Sequence, residues 1–109
     1  MSRDTDERLA DMRDACERIS DFVARVGSDW ANDPMCTDAI VRNLEILGEA
    51  AKHVPREVQD RFPTIPWGRI GGLRDILIHQ YFGVDVLVLR SVVETHIPAL
   101  RQALDAASD

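Results

Sequence analysis

Cysteine is scarce and badly placed for chemistry, because neither Cys16 nor Cys36 has another cysteine or a histidine nearby at ligand spacing. That argues against a CxxC redox pair and a four-ligand zinc site, and both thiols are expected to be reduced residues of the core or its boundary. Long apolar runs are missing too: none approaches the ~20 residues that a membrane-spanning helix needs. The N-terminal MSRDTDERLADMRD carries charges of both signs and no apolar stretch of an export signal. The expectation is a cytoplasmic protein with no membrane contact.

Lysine is almost absent, since twelve of the thirteen cationic side chains are arginine and Lys52 is the exception. Arginine makes forked contacts to phosphate, although high-GC coding produces the same bias. The net charge of -6 works against the extended basic groove that grips many phosphates, so any contact with nucleic acid must be local. Strand alternation, internal repeats and low-complexity tracts are also lacking.

What is present is helical periodicity. Leu9, Met12, Cys16, Ile19, Val23 and Val26 recur at steps of three and four, which predicts a first helix from Thr5 to Val26, stopped by Gly27. Ile40, Leu44, Leu47, Ala51 and Val54 continue the pattern, and the second helix is expected over Pro34–His53, with Gly48 inside it explained by close packing. Pro55 can open a short extra helical segment, and Pro63 and Pro66 then interrupt the chain. Ile70, Leu73 and Leu77 carry a third helix from Trp67 to about Phe82 and Gly83. A fourth, capped by Asp85, contains Val86, Leu89, Val93 and Ile97, with a kink or restart at Pro98 before Leu100 and Leu104. The chain therefore reads as one domain, residues 1–109, folded as an all-α antiparallel four-helix bundle with a short segment between helices two and three. A domain this small gains from oligomerisation.

The third predicted helix holds the chemistry. Asp75 and His79 are four apart and share a helical face, so the carboxylate can orient or charge the imidazole. Arg74 and Tyr81, seven apart, also align. Arg74 and His79 lie about 140° apart around a straight helix, so a common site needs the long reach of arginine, a frayed helix end or a second subunit. Imidazole and guanidinium together suit phosphoryl transfer, in which one moves a proton from a ribose 2′-hydroxyl and the other stabilises charge on the phosphate. That chemistry needs no metal, and nothing in the sequence calls for a cofactor. Spacing alone also permits a solvated Arg74/Asp75 pair, a hydrogen-bonded His79 and a rim aromatic at Tyr81.

Two longer blocks add information. DAIVRNLEILGEAAK, residues 38–52, and PTIPWGRIGGLRDILIHQYFGVD, residues 63–85, resemble the HepT-like branch of the HEPN superfamily, in a layout spanning Arg8 to Leu104. The resemblance implies a HEPN-like, homodimeric endoribonuclease toxin paired with a minimal nucleotidyltransferase antitoxin. It implies catalytic roles for Arg74 and His79, a supporting role for Asp75, and at Tyr81 an acceptor for AMP groups that the antitoxin transfers from ATP, as in a type VII toxin–antitoxin system. An added adenylate would set a phosphate where RNA must bind and repel it.

Arg42, Glu45 and Glu49 are candidates for contact with RNA or a partner, and Arg61 and Arg69 for an extension of the positive patch beside Arg74, against the simpler reading of a solvated face. His53 is expected to complement a helix end, and His96 to be a surface or boundary residue. Trp30 and Trp67 border loops where an aromatic can stack on a base, although a packing anchor suits Trp67 better. Two other function classes fit the same residues: a noncatalytic partner subunit that binds or is modified by a nucleotidyltransferase, and a plain helical dimerisation module.

Overall fold

Local chemistry decides where the helices start and stop. In the computed structural model, which describes residues 2–79 and 86–107 and, for 74–79, the backbone alone, the first helix α1 spans Arg3–Val26. Ser2 caps it, its hydroxyl oxygen accepting the Thr5 N–H at 3.1 Å. Gly27 ends it at φ 94° and ψ -162°, a conformation that a side chain would strain. A 3-10 turn, Trp30–Asn32, leads to α2, Pro34–Lys52. Asp33 caps α2 by accepting the Cys36 N–H at 3.1 Å, and Pro34 occupies the first turn, where its missing N–H costs nothing. The short α3, Arg56–Gln59, follows Pro55, and α4 covers Trp67–His79.

The last predicted helix is built from three pieces: α5 over Val86–Ser91, a π turn over Val92–His96, and α6 over Ile97–Ala107. Pro98 supplies the reason. It has no N–H for the Glu94 carbonyl and its ring crowds that carbonyl, so the ladder widens by one residue and Ile97 N–H donates to Val92 O. Leu89, Val93, Ile97, Leu100 and Leu104 nevertheless stay buried on one side. The expected ends of this region at Phe82, Gly83 and Asp85 lie outside the described residues. No strand occurs among the described residues.

The core is the stripe that periodicity picks out: Leu9, Met12, Cys16 and Ile19 of α1 meet Ile40, Leu44, Leu47 and Ala51 of α2, joined by Leu100 and Leu104. α2 is the central element, packed along α1 on one side and α4 on the other, while α6 lies against α1. Trp30 is 2% exposed, which removes it as a base-stacking platform; the Arg90 guanidinium sits 5.7 Å from its ring centroid. Trp67 is the anchor expected of it, half-buried with its indole N–H donating to Phe62 O at 3.1 Å. No described helix is long and apolar enough to cross a membrane.

Both cysteines are free and buried. Burial, reinforced by Asp105 and opposed by Arg101, pushes the Cys16 thiol from 9.0 up to about 12. Folding thus favours the protonated thiol: this contribution to stability is complete below pH 9 and lost as pH rises through about 12. The native protein should resist a thiol reagent at pH 8, and Cys16 and Cys36 should label together when denaturant is added. Rapid labelling of Cys16 in native buffer would contradict its packing.

Candidate active site

α4 enters the site from a proline-punctuated approach. Pro63 and Pro66 hold the preceding segment out of helix, and the first α4 turn closes with Ile70 N–H donating to Pro66 O at 3.1 Å. Gly71 lets α4 come close to α2, because a Cβ there would lie 3.2 Å from Lys52 Cγ. Gly48 is also buried on α2, as a close approach requires. Among the described residues α2 is the element against which α4 packs extensively.

Arg74, Asp75 and His79 lie in the second half of α4, with their side-chain placement outside the description, and Tyr81 lies outside the described residues altogether. The helical backbone fixes their relation: Asp75 is one turn before His79, whereas the Arg74 position precedes that of His79 by about 7.5 Å along the axis and lies about 140° around it. Along the first half of α4, α4 and α6 leave a groove of about 350 Å³, lined by Leu47, Ile70, Leu73 and Leu100, with Arg69 and His96 also among its lining residues. Arg69 and His96 are exposed. Arg61 is exposed at the end of the α3 region and does not line this groove, so the structure does not bring Arg61 and Arg69 to one pocket.

Arg42, Glu45 and Glu49 do converge. With Arg8 and Asp11 of α1 they line a second cleft of about 250 Å³ between α1 and α2, where Arg42 Nη1 is 3.4 Å from Glu45 Oε2. Glu49 also approaches His53 Nδ1 at 3.6 Å, and that nitrogen lies 2.8 Å from the Glu49 backbone oxygen. His53 therefore serves the α2 C-terminus, as its position predicted. The α1 half of this cleft was not legible in the sequence, because nothing local to Arg8 or Asp11 announces which part of α2 they meet.

Comparison with other proteins settles the family. Residues 12–107 match the sequence profile of the family described as "Ribonuclease HepT-like". The chain belongs to the HepT-like ribonuclease family. It is similar to the "Probable ribonuclease HepT" of Thermococcus cleftensis, with 40% identity over 102 residues that cover 93% of each chain. It is similar also to the "Putative RNase MJ1380" of Methanocaldococcus jannaschii, 32% identical over 104 residues, 94% of this chain and 95% of that one. The "Putative RNase TTE0752" of Caldanaerobacter subterraneus is 40% identical over 88 residues, 80% of this chain and 79% of the other. No solved structure gives a significant match. For a HepT-like protein the all-helical architecture is the expected one, and endoribonuclease activity is the enzyme class that membership carries.

Proposed function

We propose that this HepT-like protein is a toxin that cleaves RNA without a metal, as a homodimer, with His79 and Arg74 as the catalytic pair and Asp75 in support. The observation that carries the reading is the placement of all three in one helix, inside the span that matches the ribonuclease family. His79 takes the proton of a ribose 2′-hydroxyl, and that oxygen attacks the adjacent phosphorus. Arg74 stabilises the charge gathering on the phosphate oxygens. The 5′-oxygen leaves and takes up a proton from the imidazolium, so the products carry a 2′,3′-cyclic phosphate and a 5′-hydroxyl. Asp75, one turn before His79, contributes negative charge that favours the imidazolium.

Two features support a homodimer. Arg74 and His79 diverge on a single helix, and a second protomer removes the difficulty by presenting its own α4. Val86, Leu87 and Val88 are exposed together where α5 begins, Leu87 by 75%, an apolar group of the kind that marks an interface. The α1/α2 cleft, with two arginines against three carboxylates, suits the mixed charges of a protein partner better than a polyanion. The partner in this reading is a minimal nucleotidyltransferase antitoxin, encountered in the cytoplasm, which silences the toxin by AMP transfer to Tyr81 as in a type VII system. The hydroxyl of Tyr81 attacks the α-phosphorus of ATP and pyrophosphate leaves. The bulky phosphate then occludes the RNA site. Incubation with labelled ATP and the antitoxin should label the wild-type chain and leave Tyr81→Phe unlabelled; full incorporation into Tyr81→Phe would remove that residue as the acceptor.

A further inference from the structure

Two clefts adjoin α2, and their charges differ in kind. The α1/α2 cleft holds three carboxylates beside its arginines. The α4/α6 groove has no carboxylate among the described residues that line it, and the polar side chains there are Thr64, Arg69 and His96, all exposed. In a chain of net charge -6 this is a local reversal: a cationic rim on a molecule whose overall charge repels polyanions. Beneath the rim the lining is aliphatic, with Leu47, Leu73 and Leu100 as its larger members and Ala99 leaving space between them.

The backbone explains why these side chains share the groove. Arg69 stands in the first turn of α4, directly after the proline-punctuated approach and beside the buried Ile70. His96 closes the π turn that Pro98 imposes, and it lines the groove while its neighbour Ile97 is buried. A single π turn inside an α-helix is a frequent mark of a functional site. The volume of about 350 Å³ is near the lower end of the roughly 300–1,000 Å³ usual for small-ligand sites, and an apolar lining with a few polar groups is their ordinary make-up. That is room for one base rather than for a partner's helix. Arg69 also precedes the Arg74 position by about 7.5 Å along the axis of the same helix, so a strand seated here runs close to the catalytic stretch.

We propose that the α4/α6 groove seats one nucleotide of the RNA, its base on the aliphatic lining and its phosphate held by Arg69 and His96. This deepens the ribonuclease reading and rests on RNA being the substrate. A guanidinium makes forked contacts to phosphate oxygens, and an imidazole N–H donates to them in either protonation state. The faces of a base are apolar enough to gain from leaving water for a leucine lining. With Arg69 and His96 engaged on the phosphate, the described lining leaves a base edge only the Thr64 hydroxyl. The seat therefore accepts any base, and it contributes affinity and register rather than sequence choice.

Equilibrium binding of a short single-stranded RNA to the His79→Ala chain, which leaves the RNA uncut, reads the groove apart from catalysis. In that background Arg69→Gln should weaken binding about 10-fold and reduce the steepness of log affinity against log salt by about 0.7, the loss of one phosphate contact. His96→Gln should act in the same direction. Ala99→Glu sets a carboxylate in the groove and should weaken binding further, whereas Arg61→Gln removes a charge outside the groove and should leave affinity where it was. Arg61, Arg69, His96 and Ala99 are all exposed, so these variants keep the fold. An abasic ribose-phosphate strand of equal length should bind the unsubstituted groove several-fold more weakly than RNA, and Ala99→Leu, which fills the seat, should bind the two alike. Equal affinity of Arg69→Gln, Ala99→Glu and Arg61→Gln would overturn the proposal, and equal binding of RNA and the abasic strand to the unsubstituted groove would reduce it to a plain anion contact and overturn the base seat. A change of oligomeric state on Ala99→Glu, read by sedimentation, would make the groove an interface between copies and overturn it too. Arg69-dependent binding by a wild-type chain that cuts no RNA would instead sink the ribonuclease reading and leave the seat standing.

Discussion

Replacing His79 with alanine is expected to lower RNA cleavage by about 10²–10⁴-fold while the helical content stays that of the wild type, the usual contribution of a positioned proton-transfer group. Arg74→Ala should lose about 10²–10³-fold, since a cation aimed at developing charge contributes on that scale in a site shielded from water. Arg74→Lys keeps the charge and loses the planar fork, so it should recover only part of the difference. The double variant should be little worse than the more damaged single one, because both side chains act on one transition state and their effects are not additive. Rates are measured on purified chains with a single-site labelled RNA. Near-wild-type cleavage by His79→Ala would exclude the imidazole as the base, and independent multiplicative losses would argue against a shared phosphate.

Truncating Leu44 to alanine should destabilise the chain by about 2–5 kcal/mol, the range for removing a buried leucine where the surroundings cannot collapse. Leu44 is 1% exposed and sits midway along the helix that both α1 and α4 pack against. A domain of this size has about 5–15 kcal/mol in total, so the melting temperature should fall by on the order of 10 °C or more. Thermal unfolding followed by circular dichroism reads the shift. A loss below about 0.5 kcal/mol, typical of a surface position, would contradict the central place assigned to α2.

The helices were legible because their signals are local. Steps of three and four marked the α1 and α2 stripes, Ser2, Asp33 and Gly27 terminate them, and Pro34 sits in a first turn where proline is tolerated. Pro98 announced a disturbance without its form, since whether a helix kinks, breaks or widens into a π turn depends on what its far end is packed against. In this chain Leu100 and Leu104 hold α6 to the core, and the ladder yields instead. Trp30 illustrates the opposite failure: bordering a loop, it reads as a residue able to stack on a base, yet it is buried in the 3-10 turn.

The candidate site was legible in part. Helical phase already separated Arg74 from His79, and the α4 backbone keeps that separation. Phase within one helix cannot reveal what another helix offers it. The pairing of Arg8 and Asp11 with α2 belongs to the same class of facts, set by tertiary register rather than by spacing.

The most direct test of the central claim compares two oligonucleotides in chelator, one all-RNA and one with a single 2′-deoxyribose at the preferred cleavage position. Attack by the 2′-oxygen predicts that the first is cut to a 2′,3′-cyclic phosphate and a 5′-hydroxyl and that the second stays intact at the modified position, with His79→Ala inactive on both. Scission at the deoxy position, or cleavage that appears only when divalent metal is restored, would contradict the account.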